Sequence, residues 1–164
     1  MDYKRLTLVK KSVYDVIYDS INDSDYTVGD GVGQVRLSMA FPEIDEEGNY
    51  LDLILPAVAI DFSKEGPKEA IDLGVQYAHV FDMEVNIFAR NDLEREYLLS
   101  VMKDTIELGS IPYKDYNSTT EATPTVSYLR SLDESIEPIR VDTPGEKEKF
   151  RGVMFFSLVL PEDH

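Results

Sequence analysis

Apolar positions along this chain change period in an orderly way, from helical spacing to alternation and back. Over residues 3–21, Leu6, Val9, Val13, Val16, Ile17 and Ile21 recur every three or four residues, which predicts an amphipathic helix with one apolar stripe. The polar tract Asn22-Asp23-Ser24-Asp25, followed by Gly29, Gly31 and Gly33, ends that helix in a loop. Val35, Leu37, Met39 and Phe41 then alternate with Arg36, Ser38 and Ala40, the pattern of a half-buried strand. The acidic turn Asp45-Glu46-Glu47-Gly48-Asn49 leads to an apolar run over 51–62, broken at Pro56. Pro cannot donate to a ladder, so that position marks an edge, a bulge or a strand break. The two runs are expected to pair as an antiparallel hairpin.

Residues 63–74, with Gly66-Pro67 and Gly74, read as a loop. The alternation then becomes unusually regular. Val75, Tyr77, His79, Phe81, Met83, Val85 and Ile87 share one parity, with Gln76, Asp82, Glu84 and Asn86 on the other. This predicts a long strand with one face on the core. Asn91 is a good N-cap, and Glu94 three residues later gives a capping-box spacing. Leu93, Tyr97, Leu98, Val101, Met102, Thr105 and Ile106 mark one face of the following helix, with Gly109 suited to its C′ position and Pro112 just beyond. Val126, Tyr128 and Arg130 alternate as a strand, with 139–141 expected to return as its hairpin partner. After a charged turn at 143–149, residues 150–160 form an apolar closing strand. The pattern predicts one α+β domain over 1–164: two helices against a largely antiparallel sheet, with projecting β-hairpin arms.

Composition narrows the function classes. With 164 residues, 43% of them apolar, the chain is large enough to bury a core without metal or disulfide staples. It has no cysteine, which excludes thiolate nucleophiles, disulfides and Cys-based zinc sites. Thirty-two acidic against sixteen basic residues give a net charge of −16. Such a surface repels phosphate backbones and anionic lipids, so sequence-independent nucleic-acid binding is not expected. Met-Asp-Tyr-Lys-Arg opens into an amphipathic pattern, not a signal peptide, and no apolar run has transmembrane length, so a soluble protein is expected.

Candidate chemistry is sparse. Of the two histidines, His164 is terminal and His79 lies on the apolar parity of its strand, where a hydrogen-bonded structural role is favoured over a general base. The acidic stretch 19–30 invites a calcium reading that fails in register: from Asp23, Val28 stands where Gly is needed and Gln34 where a bidentate Glu belongs. Gly29, Gly31 and Gly33 lack the spacing of a dinucleotide loop, and no phosphate-binding Gly-Lys-Ser/Thr motif exists. Carboxylate pairs such as Glu43 with Asp45 and Glu94 with Glu96 are expected by chance in so acidic a chain. No catalytic residue, cofactor or metal is assigned. Ten tyrosines stand against no tryptophan, and Tyr113 and Tyr116 flank Asp115 just after the second helix. They suit either a subunit interface or the chain's own sheet edge.

The order of these signals resembles a family of tail terminator and neck (head–tail joining) proteins of long-tailed bacteriophages. The matching features are Leu55-Pro56 in an apolar run and Asp72-Leu73-Gly74 before the long strand. They continue with Ile87-Phe88-Ala89 closing that strand, the helix at 91–108, and Ile111-Pro112-Tyr113-Lys114-Asp115-Tyr116-Asn117. The likeness spans residues 51–117, under half the chain. It implies a virion protein, assembled in the host cytoplasm, that forms a ring, usually of six copies, at the head-proximal end of the tail tube. Such a ring ends tube polymerisation and docks the tail on the head–tail connector protein. Its partners would be other copies of itself, the tail tube protein and the connector, with DNA passing through the lumen unbound and no membrane involved. No catalysis and no cofactor are implied. Asp72, Leu73, Gly74, Tyr113 and Tyr116 are the candidate subunit-interface residues, and 123–149 is a candidate arm toward a neighbour.

Three other readings stay open at this level. A head completion or connector protein would differ in partner and not in chemistry. A small acidic hydrolase would need one carboxyl buried in a cleft with a raised pKa. An acidic binding module would need its acids gathered on one face, whereas here they run along the whole chain.

Overall fold

The apolar stripe of the first segment becomes α1 (Tyr3–Asn22), whose Val9, Val13, Ile17 and Ile21 are fully buried. The computed structural model describes residues 3–51, 53–63, 68–72, 77–107, 110–116, 124–131, 137–141 and 150–161. The regular alternation becomes β4 (Tyr77–Ala89), and the closing apolar run becomes β8 (Phe150–Pro161). These two form the centre of the sheet, antiparallel from Ala78 opposite Pro161 to Ala89 opposite Phe150. Outside β4 lie β2 (Ala57–Phe62) and β3 (Lys68–Asp72), pairing with successive stretches of its length. Outside β8, β6 (Thr125–Ser131) and β7 (Glu137–Val141) do the same. β1 (Arg36–Ser38) flanks β2, and β5 (Ile111–Lys114) pairs with β6. With α2 (Asp92–Glu107) joining β4 to β5, the fold is α+β, a largely antiparallel sheet carrying two helices.

The period of two decides where the core sits. Phe81, Met83 and Val85 of β4 stand opposite Leu158, Phe156 and Met154 of β8, and all six pack in one buried cluster with α1 and α2. Each such side chain stabilises by roughly 1.5–3 kcal/mol on burial, so a core of this extent supports the fold without staples. Gly152 lies opposite Ile87, where an added Cβ would come within 3.0 Å of Leu99 Cδ1. Glycine at this point lets α2 lie close on the sheet. The β5–β6 hairpin peels away from β8: only Arg130 and Ser131 of β6 pair with it. The hairpin curls over α1, where the Lys114 backbone N–H donates to the buried Ser12 Oγ at 3.2 Å.

Several details differ from the sequence expectations. β1 pairs with β2 in parallel, not as an antiparallel hairpin, and it spans three residues instead of seven. The cause is the connection over 39–56, which does not turn back. It crosses to the opposite face of the sheet and buries Phe41, Tyr50, Leu53 and Leu55 against Phe88 and Ala57. A parallel pair needs such a crossover. Pro56 falls just before β2, where its carbonyl accepts the Arg36 N–H at 3.1 Å. The stretch 63–74 is not all loop, because β3 pairs along the start of β4. Segment 139–141 does not return onto β6; it lies in β7, which follows β6 along the same edge of β8. Of 123–149, residues 125–131 and 137–141 are strands in the chain's sheet, and 123, 132–136 and 142–149 lie outside the described residues. Leu93 does not join the core face of α2 and is 83% exposed. Val75, Gln76 and Gly109 also lie outside the described residues.

Candidate functional site

Two features at opposite ends of the central strands concentrate chemistry. The first is a cleft of about 400 Å³ where the start of α1 meets the start of β4, the end of β8 and the β5–β6 hairpin. Lys4 and Arg5 project from the first turn of α1, the half-buried His79 stands on β4, and Leu8, Val126, Leu160 and Pro161 supply apolar wall. Tyr113, Asp115 and Ser127 complete it. Arg5 Nη1 lies 3.0 Å from Nε2 and 3.4 Å from Nδ1 of His79. A guanidinium has donors only, so the ring nitrogen facing it accepts and carries no proton there. His79 is thus hydrogen-bonded, and by a cation.

The second feature is an acidic finger within the 39–56 crossover, closed by its own hydrogen bonds. Ile44 and Tyr50 form an isolated antiparallel bridge. Inside it, Asp45 Oδ1 accepts the N–H groups of Glu47 at 3.0 Å and Asn49 at 2.8 Å. Gly48 adopts φ +86°, a left-handed turn conformation that suits glycine. The tip side chains, Glu46 and Glu47, are exposed, as are Glu43 and Ile44. Its base is clamped by Arg151, whose guanidinium lies 5.2 Å from the Phe41 ring and 5.5 Å from the Phe88 ring. Arg151 Nη2 also donates to the buried Asn86 Oδ1 at 2.6 Å.

A third polar group is structural. Glu94, 4% exposed, accepts from the Arg90 backbone N–H at 2.9 Å, from Arg90 Nη2 at 2.6 Å and from the Tyr26 hydroxyl at 2.9 Å. Burial pushes its carboxyl upward, but the Arg90 and Tyr26 hydrogen bonds outweigh that and hold it below the ordinary 4.5. Burial and the Glu94 carboxylate raise the Tyr26 phenol. A hydrolytic acid needs the opposite shift. The Asn91 cap forms as expected, with the Glu94 N–H on Asn91 Oδ1 at 2.9 Å, but the Glu94 side chain reaches back to Arg90 and not to Asn91.

Of the candidate interface residues, Asp72, Tyr113 and Tyr116 are described. Asp72 ends β3 opposite Tyr77, and Leu73 and Gly74 lie outside the described residues. Tyr113 lines the cleft and packs against the core. Tyr116 is held by its own α1: its hydroxyl donates to the Asp15 carboxylate, and Lys11 Nζ sits 5.3 Å over its ring. Burial and that hydrogen bond hold the Tyr116 phenol well above its ordinary value of 10. The loop tested for calcium closes on itself instead. Gln34 Oε1 accepts the Gly31 N–H at 2.8 Å, and its Nε2 donates to Thr27 at 3.1 Å. Among the described residues no cluster of three or more acidic or histidine side chains is placed to hold a metal ion. No helix among them is long and apolar enough to cross a membrane.

The sequence reading missed the cleft and the finger as sites. Lys4 and Arg5 are two cations in a helix, and only the approach of β4, seventy-four residues on from Arg5, gives them an imidazole neighbour. No protein-family model matches this chain, and no curated protein matches it.

Proposed function

We propose that this protein is a structural subunit of a bacteriophage virion, forming a ring at the head-proximal end of the tail tube. There it ends tube growth and joins the tail to the head connector. The observation that carries this reading is the β4–α2–β5 unit. Its long strand, Asn91-capped helix and Pro-marked strand stand in the order on which the resemblance rests, with β4 at the centre of the sheet. The open outer edges of β3 and β7 lend support. Each pairs on one side only among the described residues, and an unpaired edge can add a neighbour's strand. The tail–neck reading is preferred to the hydrolase because the buried carboxyl Glu94 is held low by its partners.

The test is polymerisation of the purified tail tube protein with and without this chain. The expected result is tubes of limited length bearing this protein at one end only. Tubes of unchanged length, with no bound protein, would contradict the proposal. Binding to the isolated connector but not to the tube would move the protein to the head side of the joint.

A further inference from the structure

We infer that the end of the molecule around Phe88 is a docking face for another protein's surface, one with apolar sockets and a cationic rim. The inference rests on exposure, charge and register, and holds whether or not copies of the chain close into a ring. Three stretches far apart in sequence meet at this end. The 22–35 loop runs into β1, whose Arg36 lies opposite Ala57, itself opposite Phe88. The 39–56 crossover sits on Phe88 and ends at Pro56, on whose carbonyl the Arg36 N–H lies. α2 begins three residues after β4 ends at Ala89. It holds the loop through the Tyr26 hydroxyl on Glu94 and the Asp25 N–H on the Tyr97 hydroxyl, each at 2.9 Å.

Of nine large apolar side chains exposed among the described residues, these stretches carry six: Val32, Met39, Ile44, Leu51, Ile54 and Leu93. Exposure is therefore gathered and not scattered, as it is at protein contact sites. The stretches 22–36, 39–56 and 90–97 also hold eleven acids and three arginines, so a quarter of the chain bears half of its net charge of −16. All three arginines turn to the chain's own groups. Arg36 donates to the carbonyls of Asp30, Gly31 and Gln34, Arg90 to Glu94, and Arg95 to Asp92. The side chains of Asp30, Glu43, Glu46 and Glu47 stand exposed. Val32, fully exposed, sits on a braced turn. The Gln34 N–H returns to the Gly31 carbonyl at 3.2 Å, and Gln34 Oε1 accepts the Gly31 N–H at 2.8 Å. Held there, Val32 buries nothing in its own chain and loses little entropy on entering a socket. Charge selects the occupant. Nucleic acid and anionic lipid are repelled, and a second copy meeting this end would set like charges face to face. A protein surface with apolar sockets edged by lysine or arginine matches both the aliphatic side chains and the acids around them.

The test titrates the full-length protein with a synthetic amphipathic peptide of lysine and leucine, and separately with an oligolysine of equal charge. Calorimetry gives the affinities, and amide hydrogen exchange read by mass locates the contact. The lysine–leucine peptide should protect 29–34, 43–51 and 92–96 and bind at least tenfold tighter than the oligolysine. Val32→Ser/Leu93→Ser should weaken that peptide at least tenfold, with an unchanged thermal melt because both side chains lie exposed. Val32→Ser alone, altered only at a turn tip, should weaken it severalfold and keeps the test decisive if the double variant does not fold. The inference is overturned if the lysine–leucine peptide does not bind, if its protection falls elsewhere, or if the oligolysine binds as tightly. It is also overturned if the folded variants bind as the wild type does. Protection of the same amides on concentrating the protein alone would overturn it too, since the occupant would then be a second copy.

Discussion

Glu94 joins three parts of the chain at once: the end of β4 through Arg90, the first turn of α2, and the loop after α1 through Tyr26. Breaking a buried ion pair costs roughly 3–5 kcal/mol, and the half-exposed Arg90 recovers part of that by rehydration. Glu94→Gln should therefore lower stability at pH 7 by about 2–3 kcal/mol in urea unfolding. The folded carboxyl lies below the ordinary 4.5, so its contribution is present above that pH and is lost as the pH falls through the folded value. The gap between wild type and Glu94→Gln should shrink steadily below about pH 4.5; a constant gap from pH 7 to pH 3 would refute this role. Asn91→Ala should cost about 1 kcal/mol as a lost cap. Leu93→Ser, at a position exposed in the structure, should stay within about 0.5 kcal/mol. The cap was legible because its signal is local. The Tyr26 contact was not, since its two residues are sixty-eight apart in sequence.

At the scale of elements, the segments with a long, clean period were readable: α1, β4, α2 and β8 all lie where their apolar positions place them. Pairing was not readable: the two hairpins that the pattern predicted, 35–41 with 51–62 and 126–130 with 139–141, are paired otherwise. The 39–56 crossover looked like a hairpin connection because its apolar residues, Phe41, Tyr50, Leu53 and Leu55, carry no sign of which face they will cover. Phe88 decides it, pointing to the face opposite the main core and needing cover there. β3 was hidden because Gly66-Pro67 reads as a loop signal in the sequence, whereas 68–72 pair along β4. The cleft and the finger were illegible for the same reason, since each is assembled by these pairings. Phe88→Ala should cost about 3–5 kcal/mol as a cavity beneath the crossover. Arg151→Ala, which removes the clamp on Phe41 and Phe88, should speed amide hydrogen exchange across 39–56 while leaving α1 and α2 protected. Unchanged exchange in 39–56 would show that Arg151 does not hold the finger.

For the whole molecule, charge and topology point the same way. In the proposed ring, the one-sided pairing of β3 and β7 among the described residues offers strand edges to a neighbouring copy of this acidic chain. A lumen lined by such chains would let DNA pass without adhering. The proposed ring is a closed, head-to-tail assembly, and the mass of the purified protein in solution tests it most directly. Light scattering on a sizing column at high protein concentration should give a species of roughly 110 kDa, about six chains of 18.6 kDa. A single species of 18.6 kDa at every concentration would contradict it.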